Sequence, residues 1–405
     1  MWLTVAVYMI TYMDRVVMST TAPEMRKDLG FDLVTMSFII GAFNWSYALF
    51  QIPGGLLGDK IGPRRALTLI VTWWSLFTSF TAMAWSSTAL FAIRFLFGVG
   101  EAGAFPIATR SLSRWILKTE RGYAQGITHA GSRLGSAIAL PLVTWIMVRF
   151  GWRAAFFAFA ALGVTWAVVW YWYYRDSPAE HSGVNPAELE LIETGGAMRK
   201  GGTVKVPWSQ ILNSSTLWYL SAMYFCYNYS LNVYYNWLPT YFREFRGATL
   251  TEMGFYASLP LFAGVGGDIL GGWVSDRVLH RTQNVNLARR WVAIAGFVTC
   301  AIATVPAVFA TDVRMSVAFY SLAFFALEWT VGISWAIPLD IGGDFAGSVS
   351  AFMNMCGNIG GAIATSVLGL IVASFGWNVP FLITGVLTAI ASLLYLKIDA
   401  SKRIV

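Results

Sequence analysis

Apolar segments long enough to cross a lipid bilayer recur along the whole of this 405-residue chain. A helix needs about 20 mostly apolar residues to span a hydrocarbon core of roughly 30 Å. Only helices and closed barrels satisfy their backbone groups in lipid, and these segments lack the alternation of barrel strands. The sequence therefore predicts an all-α membrane protein with twelve transmembrane helices, at 2–22, 33–58, 65–85, 88–112, 122–148, 153–174, 215–241, 251–273, 290–310, 314–337, 345–373 and 377–396.

The basic residues are unevenly distributed between the loops. A net charge of +7 would fit a nucleic-acid-binding protein, but Lys and Arg concentrate on one side of the predicted helices, as at Lys60, Arg64 and Arg65. By the positive-inside rule, that side faces the cytoplasm. We therefore expect a multi-pass protein of the inner (plasma) membrane, surrounded by lipid, with both termini in the cytoplasm and no nucleic-acid partner.

A polar stretch at 175–207 divides the predicted helices into two sets of six and has the composition of a linker. Short strings recur in the two sets: FGWRAAF (150–156) matches FGWNVPF (375–381), and GGLLGDK (54–60) matches GGWVSDR (271–277). Such repeats indicate duplicated six-helix units. We expect two pseudo-symmetric six-helix bundles, an N-terminal one at 1–174 and a C-terminal one at 215–405, joined by a cytoplasmic linker at 175–214.

The segment GGLLGDKIGPRR (54–65) combines glycines that permit close helix contact with an acidic residue at a helix end and a basic turn. It resembles the signature loop of the major facilitator superfamily, and the resemblance covers the whole chain, with a degenerate copy in the second half. The resemblance implies the major facilitator fold and a gating loop at the helix ends. The residues of this loop are Gly55, Asp59, Lys60, Gly62, Arg64, Arg65, Asp276 and Arg277.

Four ionisable side chains stand out among those inside predicted membrane helices: Asp14, Arg15, Arg94 and Glu101. A charge at this depth costs roughly 3 kcal/mol on insertion scales, so each one is a candidate functional residue. In IRFLFGVGEAGAFP (93–106), Arg94 and Glu101 share nearly one helix face but lie about 10.5 Å apart along the axis. Each is therefore expected to have another partner. Static ion pairs between helices are the alternative to a functional role.

Polar residues at helical spacing line one face of each of the first two predicted helices. They include Tyr12 and Arg15 on the first helix, and Tyr47 and Gln51 on the second. Such stripes fit a wet cavity better than contact with lipid. A guanidinium offers a carboxylate two parallel hydrogen bonds, whereas lysine is a point charge. We therefore expect Arg15 to bind the carboxylate of a small organic anion.

The second half contributes neutral polar groups. Asn228 and Asn232 are four residues apart on the seventh predicted helix, and Asn354 and Asn358 are four apart on the eleventh. Amides suit the hydroxyl groups of a sugar acid, so these four residues are further predicted substrate contacts. Hydrogen bonding between close-packed helices is the alternative interpretation.

Within the superfamily, the sequence resembles the anion:cation symporters, a family of bacterial sugar-acid and hexuronate importers related to sialin and the vesicular glutamate transporters. The resemblance rests on Tyr12-Met13-Asp14-Arg15, on Arg94 with GEAGAFP (100–106), and on FGWR (150–153). It implies that Asp14 and Glu101 couple transport to protons, that Arg15 and Tyr47 contact substrate, and that Arg94 supports Glu101. Relatives often carry asparagine in place of Ala104, a departure that bears on substrate preference.

Other residues in the predicted helices rank below these four charged residues. His129 could join a proton path, although a single histidine is more often a packing residue, and Arg133, Arg110 and Glu328 also lie in predicted helices. The sequence contains no P-loop, no HExxH and no paired-cysteine zinc spacing, so we expect no cofactor, no metal and no enzymatic activity.

These features together predict a monomeric secondary transporter that imports an organic anion with protons by alternating access. The anion is expected to be a sugar acid, namely an aldonate, a hexuronate or an aldarate. A proton-antiporting exporter would share the gating loop, but it would favour an apolar pocket without a central arginine. A non-transporting receptor on the same scaffold could dispense with Asp14 and Glu101.

Overall fold

A computed structural model describes residues 1–117, 120–194 and 206–404, apart from the side chains at 52, 59, 121–123, 125, 193 and 344. Residues 195–205 of the predicted linker lie outside the described residues. The helices are α1 (Trp2–Leu29), α2 (Leu33–Ile61), α3 (Pro63–Ala82), α4 (Ser87–Glu101), α5 (Ala104–Trp115), α6 (Arg121–Phe150), α7 (Trp152–Tyr173), α8 (Pro186–Thr194), α9 (Trp208–Leu212), α10 (Ser215–Thr240), α11 (Leu250–Thr282), α12 (Val292–Phe309), α13 (Val313–Glu328), α14 (Val331–Gly342), α15 (Ala346–Phe375) and α16 (Asn378–Tyr395).

Nine helical segments in the described ranges are long and apolar enough to cross a membrane. Helices α1, α3 and α10 contain 28, 20 and 26 residues, long enough to span a bilayer, but they carry more polar side chains. No strand occurs in the part of the chain that the structure describes. The prediction of an all-helical membrane protein is confirmed for these residues.

Two predicted helices are each divided into two pieces. The fourth breaks after Glu101, where Pro106 has no backbone N–H to donate to the carbonyl of Ala102. The tenth breaks after Glu328, where the Thr330 hydroxyl donates to the Leu327 carbonyl at 2.8 Å. Side-chain hydrogen bonds of this kind compete with helix continuation. Both halves of the chain therefore place a glutamate at the end of the first piece of a broken helix.

The chain divides into two units, of which the first comprises residues 1–31 and 42–204. Within it, α1 packs against α6 and α7, and α3 packs against α4 and α7. Trp74, Phe97 and Trp170 are almost completely buried. A Cβ atom added to Gly54 of α2 would lie 2.7 Å from the Cα atom of Gly103, which shows how closely the two backbones approach. This contact holds the end of α4 against α2.

The second unit comprises residues 32–41 and 205–405. Within it, α10 packs against α15 and α16, α11 packs against α13, and α12 packs against α13 and α16. The start of α2 belongs to this unit, where a Cβ on Gly369 of α15 would lie 2.7 Å from the Leu33 carbonyl oxygen. The domain boundaries at 174 and 214 remain a prediction.

Two adjacent glycines of the second unit should respond in opposite ways to alanine. A Cβ on Gly271 would meet the Trp329 carbonyl group, 2.7 Å from its carbon, whereas a Cβ on Gly272 would have no neighbour within 4 Å. Overpacking against backbone typically costs about 1–3 kcal/mol, whereas alanine at an open helical position stabilises a helix by roughly 0.5–1 kcal/mol. We expect Gly271→Ala to lower the melting temperature in detergent and Gly272→Ala to preserve or raise it. Equal responses of the two variants would contradict this packing.

Candidate substrate and proton site

The centre of the first unit contains an ion pair between α1 and the end of α4. The Nε and Nη2 atoms of Arg15 lie 2.6 and 2.5 Å from the same carboxylate oxygen, Oε1, of Glu101. Glu101 is fully buried, whereas the Arg15 side chain keeps 20% of its surface exposed. The cation predicted to bind substrate is thus held by the acid predicted to carry a proton.

Aromatic rings surround the Arg15 guanidinium. Its Cζ atom lies 4.7 Å from the ring centre of Tyr47, 4.9 Å from that of Tyr12 and 5.2 Å from that of Phe43. Tyr12 precedes Arg15 by one helical turn, and Phe43 and Tyr47 are one turn apart on α2. Cation–π contacts of this kind stabilise a charge that water reaches poorly. The structure thus places the predicted substrate residues Tyr12 and Tyr47 directly against Arg15.

Arg94 and Asp14 complete the charged cluster. The Arg94 guanidinium packs on Phe97 at 4.4 Å and on Phe43 at 5.1 Å, so the Phe43 ring contacts both arginines. Asp14 is 2% exposed, and neither carboxylate oxygen has a hydrogen-bond partner among the described residues. It interacts electrostatically with Arg94 and Glu101. Glu101 thus makes its direct bond to Arg15 of α1, a partner other than Arg94.

Small residues make this arrangement possible. A Cβ on Gly98 of α4 would lie 2.6 Å from the Phe43 carbonyl oxygen, so α4 touches the backbone of α2 one turn before Glu101. Glu101 then ends α4 beside α1, because the helix breaks immediately after it. Gln51 lies half-buried further along α2. The glycines and the helix break therefore determine which helices the carboxylate reaches.

Helix α6 adds His129 and Arg133 to the surroundings of α1. The His129 ring packs edge-on against Tyr8 at 5.7 Å, and the Arg133 Cζ atom lies 5.8 Å from the Tyr12 ring centre. The Tyr8 hydroxyl lies 3.3 Å from the Thr109 hydroxyl of α5. The spacing of four residues between His129 and Arg133 places them on one helix face and is the signal that could have identified them.

The gating loop of the first unit is organised by Asp176, which sequence reasoning missed. Its carboxylate accepts the backbone N–H of Arg64 at 3.0 Å and pairs with Arg114 at 3.2 Å. Gly62 has a φ of 81°, a conformation that favours glycine. The Asp59 side chain lies outside the described residues. Of the other predicted loop residues, Lys60 and Arg65 are exposed, and Gly55 lies beside Pro106.

The degenerate copy in the second unit is organised by Arg289, another residue that the sequence analysis missed. Its guanidinium binds Asp276 at 2.9 Å, Asp340 at 3.2 Å and the Ser275 hydroxyl at 2.8 Å. Arg277 instead lies against the Trp273 ring at 5.4 Å. Asp276 thus takes part in an ion-pair network, whereas Arg277 does not bind it in the described contacts.

Two of the asparagines predicted to contact substrate, Asn228 and Asn232, form successive hydrogen bonds along α10. The Nδ2 atom of Asn228 donates to the Tyr224 carbonyl at 3.3 Å, and that of Asn232 donates to the Asn228 carbonyl at 2.9 Å. Asn354 and Asn358 lie half-buried on α15. The hydrogen bonds of Asn228 and Asn232 thus run within one helix rather than between helices.

The same unit contains a buried glutamate in a network of aromatic residues. The Tyr227 hydroxyl donates to Glu328 at 3.1 Å, and the Tyr227 ring stacks on Tyr224 at 5.3 Å. Trp335 in turn donates to the Tyr224 hydroxyl at 2.8 Å. Glu328 is fully buried at the break between α13 and α14. No role for it follows from the sequence.

Comparison with known proteins identifies the family. The family model described as Major Facilitator Superfamily matches residues 4–365. This chain belongs to the major facilitator superfamily. A bacterial homolog of the human lysosomal transporter Spinster, solved in an inward-facing, occupied conformation, superposes with a TM-score of 0.81 at 17% identity, covering 98% of this chain and 95% of that one. The major facilitator fold is confirmed.

Curated relatives confirm the resemblance to the anion:cation symporters. A probable sulfoacetate transporter of Cupriavidus necator is 38% identical over 394 residues, covering 97% of this chain and 91% of the relative. A probable galactarate/D-glucarate transporter of Escherichia coli is 33% identical over 420 residues, covering 98% of this chain and 92% of the relative. The protein is therefore a multi-pass membrane transporter and not an enzyme.

Proposed function

We propose that this transporter imports an organic anion, most simply a sugar acid, together with protons and by alternating access. One observation carries the proposal: the Arg15 side chain, which is more exposed than Asp14, Arg94 and Glu101, is held by the buried carboxylate of Glu101. A substrate carboxylate and the Glu101 carboxylate require the same hydrogen-bond donors. They therefore compete for one cation.

Protonation of Glu101 resolves this competition. A neutral carboxylic acid holds a guanidinium far less tightly than a carboxylate does, because the charge-assisted hydrogen bonds are lost. Arg15 can then offer its donors to the substrate carboxylate. Anion and proton enter the site together, so the charge of the cluster is the same before and after loading.

Asp14 is the second proposed proton carrier. It is buried without a hydrogen-bond donor in the described contacts, and an ionised carboxylate in that state is costly. Arg94 lies near enough to interact with both Asp14 and Glu101 and is the proposed supporting charge. Its positive charge would lower the free-energy cost of deprotonating Asp14 and Glu101.

Hydroxyl partners support a sugar acid as the substrate. Tyr12 and Tyr47 stand beside Arg15 with their phenols, and Gln51, Asn228, Asn232, Asn354 and Asn358 are proposed to add amide groups. One relative is named for galactarate and glucarate, which are sugar acids, and another is named for sulfoacetate, a short sulfonated acid without hydroxyl groups. We therefore propose an aldonate, a hexuronate or an aldarate, with a short sulfonated acid as a further candidate.

The remaining features are also proposals. We propose that the protein lies in the inner (plasma) membrane with both termini in the cytoplasm. The six-helix halves at 1–174 and 215–405 are proposed to be joined by a cytoplasmic linker at 175–214. The protein is proposed to act as a monomer. A drug exporter that exchanges protons for its substrate would favour an apolar pocket, and the partly exposed Arg15 among tyrosines argues against it. A receptor that transports nothing would not require the two buried acids, Asp14 and Glu101.

Uptake into vesicles tests the proposal. We expect purified protein in liposomes to accumulate at least one of D-gluconate, D-glucuronate, D-galactarate and sulfoacetate when the outside is made acidic. A protonophore should abolish the accumulation, and a sodium gradient without a pH gradient should not replace it. Accumulation driven only by sodium would overturn proton coupling, and failure to bind or move any of the four acids would overturn the substrate class.

A further inference from the structure

The guanidinium of Arg133 contacts the same tyrosine ring as that of Arg15. The Cζ atom of Arg15 lies 4.9 Å from the Tyr12 ring centre, and that of Arg133 lies 5.8 Å from it. The two side chains come from different helices, α1 and α6, and both retain some exposed surface. Tyr12 itself is also partly exposed. Two cations and one phenol of the first unit thus lie together, and each of the three side chains retains some exposed surface.

The packing of α6 against α1 determines this placement. A Cβ on Gly131 would lie 2.7 Å from Val5, and one on Gly135 would lie 2.9 Å from the Cα atom of Met9. Helices that touch at glycine bring long side chains on neighbouring turns within reach of each other. Successive turns of α6 then contact successive turns of α1: His129 packs against Tyr8, and Arg133 packs against Tyr12.

We propose that Arg133 binds a second acidic group of the substrate, so that the site selects small dianions over monoanions. This inference rests on the proposed function, because it assumes that Arg15 binds the first carboxylate. Since both guanidinium carbons lie within 5.8 Å of one ring centre, the two arginines can bind the two acidic groups of one small molecule, such as a diacid of up to six carbons or a sulfonated acid. The Tyr12 ring contacts both guanidinium groups.

The charge balance favours the same substrate class. Glu101 neutralises Arg15 in the empty site, and protonation of Glu101 leaves two guanidinium groups near one tyrosine. Opposite charges attract strongly in a medium of low dielectric constant. A dianion can pair with both guanidinium groups, whereas a monoanion can pair with only one.

A matched pair of ligands tests the inference. D-Glucarate and D-gluconate share a six-carbon polyol chain and differ in the second carboxylate, so their affinities isolate the contribution of that group. We expect the parent protein to bind D-glucarate more tightly. Arg133→Gln should weaken D-glucarate binding about 10- to 100-fold, the usual effect of losing a hydrogen bond to a charged group, and should change D-gluconate binding less than about threefold.

Two further variants make the result specific. Arg133→Lys keeps the charge but loses the planar fork, so it should restore part of the preference for the diacid. Arg153→Gln removes a surface arginine that pairs with Asp28 at the start of α7, and it should leave both affinities unchanged. Melting temperatures of all variants without ligand report whether Arg133 has a merely structural role.

The possible outcomes separate this inference from the proposed function. If both acids bind and Arg133→Gln weakens them equally, the role of Arg133 in recognising a second acidic group is wrong, while the function stands. A parent protein that binds D-gluconate as tightly as D-glucarate would also overturn it. If neither acid binds to the parent protein and neither is transported, the proposed sugar-acid function itself fails.

Discussion

Arg15→Lys is expected to abolish substrate binding or to weaken it by about 10- to 100-fold while the protein still folds. Lysine keeps the positive charge, but it cannot offer a carboxylate two parallel hydrogen bonds, each worth about 1.5–3 kcal/mol to a charged group. It also loses the planar stacking that the guanidinium has with Tyr12 and Tyr47. Titration of the purified variant with D-glucarate or D-glucuronate, followed by thermal shift or calorimetry, measures the loss.

Arg153→Lys is the matched control for this substitution. Arg153 pairs with Asp28 with about half of its side chain exposed, and exposed ion pairs contribute little to stability. This control should bind substrate like the parent protein. Near-parental affinity of Arg15→Lys, with an unchanged melting temperature, would remove Arg15 from the carboxylate role and leave the ion pair with Glu101 as a structural contact.

Glu101→Gln is expected to separate exchange of substrate from uphill uptake. Glutamine resembles the protonated acid, so it releases Arg15 permanently for the substrate, and counterflow across a vesicle membrane should persist. Accumulation driven by a pH gradient should disappear, because the carrier can no longer release and reload that proton. Both assays are run on the same reconstituted preparation, with the melting temperature checked.

Glu328→Gln provides a matched control for the loss of a buried carboxyl group at a helix break. Glu328 is as deeply buried as Glu101, and it accepts a hydrogen bond from the Tyr227 hydroxyl. We expect this control to retain accumulation driven by a pH gradient. If Glu101→Gln also retains it, Glu101 is not the proton carrier and Asp14 becomes the principal candidate. If exchange and accumulation fall together with stability, the ion pair is structural.

The ion pair at the centre of the site illustrates what a linear pattern leaves open. Intramembrane position singled out Asp14, Arg15, Arg94 and Glu101, because charges are rare and costly there. Helical periodicity also showed that Arg94 and Glu101 are too far apart on one helix for a direct bond. It could not show which helix supplies the partner, since that depends on the approach of α1 to α4. The structure supplies Arg15 of α1.

Other missed residues have the same explanation. Asp176 lies more than a hundred residues from Arg64, and Asp340 lies 51 residues from Arg289, yet each pair is in direct contact. Arg133 was visible in the sequence as a charge in a membrane helix. Its significance depends on Tyr12, 121 positions earlier, and no local pattern relates the two. Charge pairs between distant segments form only when packing brings the helices together.

The sequence by itself determined the twelve apolar segments, the duplicated halves, the signature loop and the four intramembrane charges of the first half, because length, hydropathy and local spacing are properties of contiguous residues. The tertiary structure alone decided where α4 ends, which arginine Glu101 binds and which of the paired glycines Gly271 and Gly272 meets a neighbouring backbone. These outcomes depend on contacts between helices, where glycines allow close approach and a broken helix redirects a side chain. Such contacts are made by residues far apart in the chain, and only the folded packing brings them together.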